Sequence, residues 1–504
     1  MISHRSCRTP RDLVFAVAIA CAISSCAEDD ALEGEPPNIV LISVDTLRPD
    51  HLGAYGYAKN TSPRIDELAA AGAIFENAVS SSSWTLPAHA ALFTGLSDSV
   101  HGCDDSDRRL NESHLTLAER FGELGYRTVG FFAGPFLHPT FGLAQGFERY
   151  IDCSSYADQS KRVALDAGNL DIAEIVDASH RDVTNPKVAA QVKQWLANHK
   201  TDDKNTPFFM FIHLWDVHFD FVPPPPYDTM FDPDYRGSLT GEDFFRNPAV
   251  NPRMSRVDLD HILALYDGEI AWTDHHIGKI LDDLAASGAM DNTIVALVSD
   301  HGEEFFEHAG KGHRFTLYDE VIRIPMILFY PAKIPAGTRV ETATSIIDIF
   351  PTLLDLAGFE ASSQPMGRSL VPLFDGEPDL GTRLAISQLN TLGRNITTFR
   401  GVDKKLLQDN TTGRAWTYDL RIDHREGLGN PMGGPIADWE RGLIAETKRL
   451  RGWLRERKQA LSAPTVAPEL SDRLVEQLKL LGYLDATERG ADPDAAIIEV
   501  DSDI

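Results

Sequence analysis

Residues 38–48 read Asn-Ile-Val-Leu-Ile-Ser-Val-Asp-Thr-Leu-Arg. From Ile39 to Val44 the run is apolar and largely β-branched, broken only by Ser43, and it ends at Asp45. A half-exposed strand would alternate polar and apolar residues, so this run fits a strand buried on both faces, as in a parallel sheet. Open α/β sheets gather their ligands beyond the carboxyl ends of such strands. Asp45 stands at that position.

Working outward, strand-like runs recur at Thr128–Ala133, Phe208–His213, Thr293–Ser299 and Pro325–Phe329. Helical spacing separates them at Ser62–Ala71, Pro186–Asn198, Arg256–Ser287 and Asp348–Ala357. Alternation of this kind predicts an α/β fold, a large mainly parallel sheet sandwiched by helices over residues 38–380. From 381 to 435 the pieces shorten to Leu384–Gln388, Ile396–Arg400, Lys404–Gln408 and Ala415–Asp419, which predicts a smaller C-terminal antiparallel subdomain. Residues 436–484 read as a helical tail with amphipathic helices near Asp438–Leu461 and Glu469–Leu481. Residues 485–504 read as a disordered acidic tail.

The N-terminus reads as an address. Arg5, Arg8 and Arg11 precede an apolar run, Leu13–Ile23, too short to span about 30 Å of hydrocarbon, so residues 1–25 fit a secretory signal peptide. Ile23-Ser24-Ser25-Cys26 resembles the lipobox of bacterial lipoproteins, which implies acylation of Cys26. Ala27 in place of a retaining Asp implies the outer membrane, facing the periplasm; a plain cleavage site is the alternative. Residues 26–37 are acidic and end in Pro36-Pro37, as suits a solvated tether.

Charge narrows the partners. With 75 Asp and Glu against 47 Lys and Arg, the net charge of −28 argues against nucleic acid. A chain that is 43% hydrophobic has ordinary globular composition, so bulk disorder is excluded. Five cysteines in 504 residues exclude a disulfide scaffold. Cys103 and Cys153 either pair in an oxidising periplasm or stay free.

Three strand tips carry chemistry: Val44-Asp45-Thr46-Leu47-Arg48, His213-Leu214-Trp215-Asp216-Val217-His218 and Ser299-Asp300-His301-Gly302-Glu303. Carboxylates and imidazoles next to a core are costly unless a metal or hydrogen bonds satisfy them. Asp and His ligands suit a divalent ion, while capping of helices and turns is the bland alternative. Between the first two tips, Ser83-Trp84-Thr85-Leu86-Pro87-Ala88-His89-Ala90-Ala91-Leu92-Phe93-Thr94-Gly95 places a hydroxyl before a small-residue helix. Thr85 then lies at a helix N-terminus, where N–H groups favour an anion, and it reads as a nucleophile.

With these segments in order, the sequence resembles the sulfatase family of the alkaline-phosphatase superfamily over about residues 38–430. Gly125-Tyr126-Arg127-Thr128, Ile347-Asp348-Ile349-Phe350-Pro351-Thr352-Leu353-Leu354, Gly367-Arg368-Ser369-Leu370 and Tyr418-Asp419-Leu420 extend the match. The resemblance implies an alkaline-phosphatase-like fold and a metal-dependent hydrolase of anionic sulfate or phosphate esters. Sulfatases carry Cys-x-Pro-x-Arg, whose Cys or Ser becomes formylglycine; here Thr85-Leu86-Pro87-Ala88-His89 takes that place. A Thr cannot become the aldehyde, so no geminal diol is available to eliminate sulfate. Two further departures are Asp45-Thr46 where consecutive Asp are common, and Gly134-Pro135-Phe136-Leu137-His138 where many members have Gly-Lys-Trp-His. His313 falls at the family's substrate-binding Lys or His.

Carried over residue by residue, the resemblance implies that Asp45, Asp300 and His301 bind a divalent metal, Ca²⁺, Mn²⁺ or Zn²⁺. Thr85 Oγ completes that shell and attacks as an alkoxide. His218 and His313 contact substrate oxygens, act as acid or base, or hold a second ion with Asp216. Arg48 and His89 stabilise negative charge or orient Thr85, with a satisfied helix-start histidine as the bland alternative for His89. The alternatives are a phosphoethanolamine- or phosphoglycerol-type transferase and a non-catalytic ligand-binding member. Among the remaining features, Pro223–Pro226 reads as a stiff cleft wall and Asp228–Pro252 as an irregular stretch that sets substrate choice. His275 and His276 read as exposed, and Glu303, Glu304, Glu307 and His308 as a solvated turn.

Overall fold

The computed structural model describes residues 35–154, 183–202, 205–374, 383–432, 436–471 and 474–475. The expected signal peptide, most of the tether, the acidic tail and most of the Glu469–Leu481 helix lie outside them. Among the described residues no helix is long and apolar enough to cross a membrane.

The core is an eight-stranded sheet in the order β10-β2-β9-β6-β1-β5-β3-β4. Its strands are β1 (Asn38–Val44), β2 (Ala73–Val79), β3 (Arg127–Phe132), β4 (Arg149–Asp152), β5 (Phe208–Leu214), β6 (Thr293–Ser299), β9 (Met326–Phe329) and β10 (Thr338–Ser345). The intervening β7 (Glu304–Phe305) and β8 (Lys311–Gly312) form a separate two-stranded ribbon. All pairings in the large sheet are parallel except those of β9, which runs antiparallel to β2 and β6. The run 325–329 thus forms a strand in the reverse direction. The chain between β6 and β9 folds back through the β7–β8 ribbon instead of a long crossover helix, and a parallel neighbour needs the crossover.

Period-two alternation sorts the strand residues between two cores. Ile39 and Leu41 join Phe209 and Phe211 on one face; Val40, Ile42 and Val44 join Met210, Ile212 and Leu214 on the other. We label the main helices α1 (Pro63–Ala71), α2 (Thr85–Thr94), α3 (Asn185–Asp202), α4 (Arg256–Ser287), α5 (Ile349–Leu356) and α6 (Asp438–Leu461). The first face is covered by α2 and α5, the second by α1, α3 and α4. Each fully buried Leu, Ile or Phe here contributes about 1.5–3 kcal/mol.

Local signals place the helix ends. Ser255 Oγ accepts from Asp258 N–H at 3.1 Å to start α4, and Gly288, with φ 81°, ends it. On α4, His275 is exposed as expected, but His276 is buried with Nδ1 3.1 Å from the Trp272 carbonyl. Its place one turn past Trp272 turns it inward.

The smaller sheet is antiparallel, running β11 (Ala385–Thr391), β12 (Arg394–Arg400), β13 (Lys404–Asp409), β14 (Ala415–Asp419) and β15 (Asn430–Pro431). Leu443 of α6 packs on Leu384, Phe399 and Leu406 beneath it. This sheet also braces the chain that leads into α2: Gln388 N–H donates to Ser81 O at 2.7 Å and Ser387 Oγ to Ser80 O at 2.6 Å. Cys103 and Cys153 are both free, buried in the cores on opposite faces of the large sheet, which keeps them from pairing.

Candidate active site

Sheet order assembles what sequence separates. β6, β1 and β5 are neighbours, with Val44 paired to both Ser299 and Leu214. The three tips therefore end side by side, at the roughly 4.8 Å spacing of adjacent strands. Ser43 continues the face of Ile39 and Leu41, and His213 that of Phe209 and Phe211, beneath α2. His213 is the ligand candidate that the reading of the tip passed over; its alternation with Phe209 and Phe211 was the available signal.

The hydrogen bonds of the imidazoles fix which nitrogens face the cluster. His213 Nδ1 donates to Ala133 O at 2.9 Å, and its Nε2 lies 3.3 Å from Asp45 Oδ2. His301 Nδ1 donates to Gly302 O at 3.0 Å, and its Nε2 lies 3.7 Å from Asp45 Oδ1 and 3.4 Å from Asp300 Oδ2. Asp300 Oδ1 accepts from His301 N–H at 2.9 Å and Thr46 N–H at 3.3 Å. Thr46 adopts φ 53° to make that contact, and its hydroxyl donates to Val217 O at 3.1 Å. The residue that replaces a second Asp thus closes the loop and offers the cluster only its backbone.

Among the described residues, four buried atoms of this cluster are left without hydrogen bonds: both carboxylate oxygens of Asp45, Asp300 Oδ2 and His213 Nε2. Burial lifts the Asp45 carboxyl to about 7 against the pull of His301, and burial together with Asp45 raises Asp300. Orphaned acceptors that converge in a dry site are the signature of a cation's place. Asp45, Asp300 and His301 bring ligand atoms within 4.8 Å of one another, and Asp300 does the same with His213 and His89. The residues present fit a divalent metal.

Thr85 is the first residue of α2 and is nearly inaccessible, with its Oγ 3.4 Å from His301 Nε2. The extended Trp84 precedes it, so the first N–H groups of α2 open toward the hydroxyl. His89, one turn on, has Nδ1 2.8 Å from Thr85 O and Nε2 3.0 Å from Ser43 Oγ. A carbonyl can only accept, so Nδ1 carries the proton and Nε2 accepts from Ser43. Burial presses its pKa down to about 4. Of its two expected roles, the neutral His89 is placed for orienting the Thr85 turn, and with both nitrogens engaged it is not placed to ligate.

His313 and His218 extend the cluster outward. The His301 and His313 rings lie 4.4 Å apart by centroid, and those of His313 and His218 5.0 Å. His313 Nδ1 is 3.3 Å from both oxygens of Glu303. Glu303 and Glu304 are buried, which corrects the solvated-turn reading: the chain reverses through the β7–β8 ribbon and turns both side chains inward. Burial, then Asp45, pushes Glu303 well up, and burial beside His301 and His218 presses His313 well down. A further acid–imidazole group, Glu304, His308 and Glu320, is an ion-pair network: His308 Nδ1 contacts Glu320 at 2.6 Å. There burial opposes the His308 charge, but Glu320 and its neighbours raise its pKa to about 9.

Two expected roles give way to structural ones. The Arg48 guanidinium is held by Asp50, by Glu307 at 2.6 Å and by the Glu303 carbonyl at 2.8 Å, so it ties two strand tips together. Asp216 accepts from Thr184 N–H at 2.7 Å, Asn185 N–H at 3.1 Å and Trp272 Nε1–H at 2.9 Å, as well as from the Thr184 hydroxyl. Its carboxylate caps α3 and is already saturated with donors, which takes it out of a second metal site. Asp216→Ala is expected to cost about 2–4 kcal/mol, because it orphans several buried donors at once. Chemical denaturation of both proteins measures it, and a loss below about 1 kcal/mol contradicts the capping role.

The helix that opens on Thr85, docked over the ends of β6, β1 and β5, belongs to an ester hydrolase of the alkaline-phosphatase superfamily. Residues 37–359 match the family model described as Sulfatase, and the chain belongs to the sulfatase family. It is 25% identical over 437 residues to N-acetylglucosamine-6-O-sulfatase of Bacteroides thetaiotaomicron, covering 73% of this chain and 76% of that one. It is 26% identical to an arylsulfatase of Clostridium perfringens, covering 77% and 89%. The phosphonate monoester hydrolase of Agrobacterium radiobacter shares its fold, with a TM-score of 0.67 at 23% identity, over 84% of this chain and 96% of the other. Sulfatase-family enzymes use a divalent metal ion, and this chain carries the groups to hold one.

Proposed function

We propose that the protein hydrolyses anionic esters through a covalent Thr85 intermediate, and that phosphorus esters are its better substrates. The observation that carries this reading is the Thr85 hydroxyl at the start of α2, 3.4 Å from His301 within the carboxylate–imidazole cluster. Asp45, His213, Asp300 and His301 would hold the ion. Two imidazole nitrogens in that set suit Zn²⁺ or Mn²⁺ better than Ca²⁺, which prefers oxygen. Such an ion supplies Lewis-acid stabilisation and lowers the pKa of a neighbouring hydroxyl.

The His218–His313 pair accepts the Thr85 hydroxyl proton as Oγ attacks phosphorus, the bond to the leaving alcohol breaks, and the pair returns that proton to the alcohol. Water then attacks the Thr85 ester, phosphate departs, and the threonine oxygen regains a proton. A sulfated threonine has no second hydroxyl on the same carbon from which to eliminate sulfate, whereas a phosphorylated one is open to in-line attack. The test is to compare kcat/KM for aryl sulfate, phosphate monoester, phosphodiester and phosphonate after loading with Zn²⁺ or Mn²⁺. An aryl sulfate turned over fastest would overturn the phosphorus preference.

From the lipobox-like Ile23-Ser24-Ser25-Cys26 and from Ala27 we also propose that the mature protein is anchored in the outer membrane through acylated Cys26, facing the periplasm. Cys26→Ser is expected to move it from the membrane fraction to the soluble one and abolish labelling by a fatty-acid probe. Unchanged fractionation would count against the anchor.

A further inference from the structure

Leu428 and Ile422, 79% and 78% exposed, are the most exposed large apolar side chains among the described residues. Both stand on the turn that follows β14, and Val402, 45% exposed, stands on the turn from β12 to β13. The antiparallel pairing of Lys404 with Asp419, continued by Leu420 N–H donating to Asp403 O at 3.0 Å, brings the two turns to one end of the small sheet. Beneath them Leu407, Tyr418 and Leu420 form a small core of their own. The apolar residues of this end therefore divide into a packed inner set and an outer one that faces water.

The acids of the turn after β14 give it this shape. Asp423 accepts from the N–H groups of Gly427 and Leu428, each at 2.9 Å. Glu426, held at φ 56°, turns inward, where its carboxylate accepts from Asp319 N–H at 2.6 Å and meets Lys405 Nζ at 2.6 Å. Both acids are buried, and the side chains left outside include those of Arg421, Ile422, His424, Arg425 and Leu428. Asp419 and Asp403, at 2.5 and 4.0 Å from Arg421, offset part of its charge. A chain of net charge −28 thus presents, at one end of one sheet, exposed arginines interleaved with exposed Ile and Leu.

Charge and apolarity together select the occupant. A second copy of the chain would set one strongly acidic body against another, which repels. A hydrated polyanion would satisfy the arginines and leave Ile422 and Leu428 in water. An anionic bilayer uses both features, because apolar tips enter the interface while guanidinium groups remain at the level of the lipid phosphates. We propose that this end of the small sheet, through Arg421, Ile422, Arg425 and Leu428, is a docking surface for an anionic lipid bilayer. It sets the orientation of the catalytic body on the membrane, since the rest of so acidic a protein is repelled by that surface. The assignment needs neither the ester chemistry nor the Cys26 anchor.

Co-sedimentation of the full chain carrying Cys26→Ser tests it without any contribution from an acyl group. Vesicles of phosphatidylcholine alone are compared with vesicles of phosphatidylcholine and phosphatidylglycerol in equal parts. Partitioning is expected to be about tenfold or more stronger on the anionic vesicles at low salt, and to weaken steeply toward about 1 M salt, where the screening length is near 3 Å. Ile422→Ser combined with Leu428→Ser, and separately Arg425→Glu, should each weaken it about fivefold or more. These positions are exposed, so unchanged melting temperatures are expected to show that both variants fold. Equal partitioning on the two kinds of vesicle, or anionic binding that both variants leave intact, overturns the proposal. Capture by dextran sulfate that matches the anionic vesicles and survives the double Ser variant overturns it in favour of a soluble polyanion. Self-association without vesicles that the double variant abolishes overturns it in favour of a second copy.

Discussion

Thr85→Ala is expected to lower kcat/KM by about 10⁴-fold or more on the best ester while leaving the fold intact. The side chain is small and sits at the first position of α2, a helix held by the packing of Leu86, Ala90 and Phe93 and by the Thr94 and Gly95 end. Removing Oγ deletes the proposed attacking atom and leaves the cluster residues in place. Thr85→Ser keeps an oxygen on the same carbon, so it is expected to retain activity within about 10²-fold, the loss reflecting a freer rotamer. Rapid quenching of the wild type should trap an adduct of about 80 Da on Thr85, with exact mass separating sulfuryl from phosphoryl. Turnover by Thr85→Ala within tenfold of wild type would remove the covalent route altogether.

The strands that build the site were the legible ones. β1 and β6 are buried on both faces, so they read as nearly continuous apolar runs. β10, Thr-Arg-Val-Glu-Thr-Ala-Thr-Ser, and β4, Arg-Tyr-Ile-Asp, are edge strands; exposed Arg339, Glu341 and Arg149 interrupt them and hide the pattern. The direction of β9 depends on how the chain returns from β6, which no local pattern encodes. Asp45, Asp300 and His301 stood out because an ionisable residue at the end of an apolar run is costly. His213 was hidden for the opposite reason, since it lies inside such a run and draws notice only when its face is followed. Arg48 and Asp216 show the limit of residue type: each looked chemical at its tip, and each is engaged by partners distant in sequence, Glu307 and Thr184 among them.

Removing the metal is expected to abolish turnover, with a fall of at least about 10³-fold restored by Zn²⁺ or Mn²⁺, and to make stability depend on pH in a definite direction. In the metal-free protein burial holds the Asp45 carboxyl at about 7, against an ordinary value of 3.8. Between those values the native chain holds a proton that the unfolded chain has released. Stability of the metal-free form therefore falls as pH rises from about 4 through about 7, by about 4 kcal/mol for a shift of roughly three units. Asp300 is raised too and pushes the same way. A bound cation favours both carboxylates ionised, so the loaded protein escapes this loss. The Tm difference between loaded and stripped protein should widen from pH 5 to about 7.5 and then level off. A gap that is constant over that range, or that narrows, would show that these two carboxylates are not the metal's ligands.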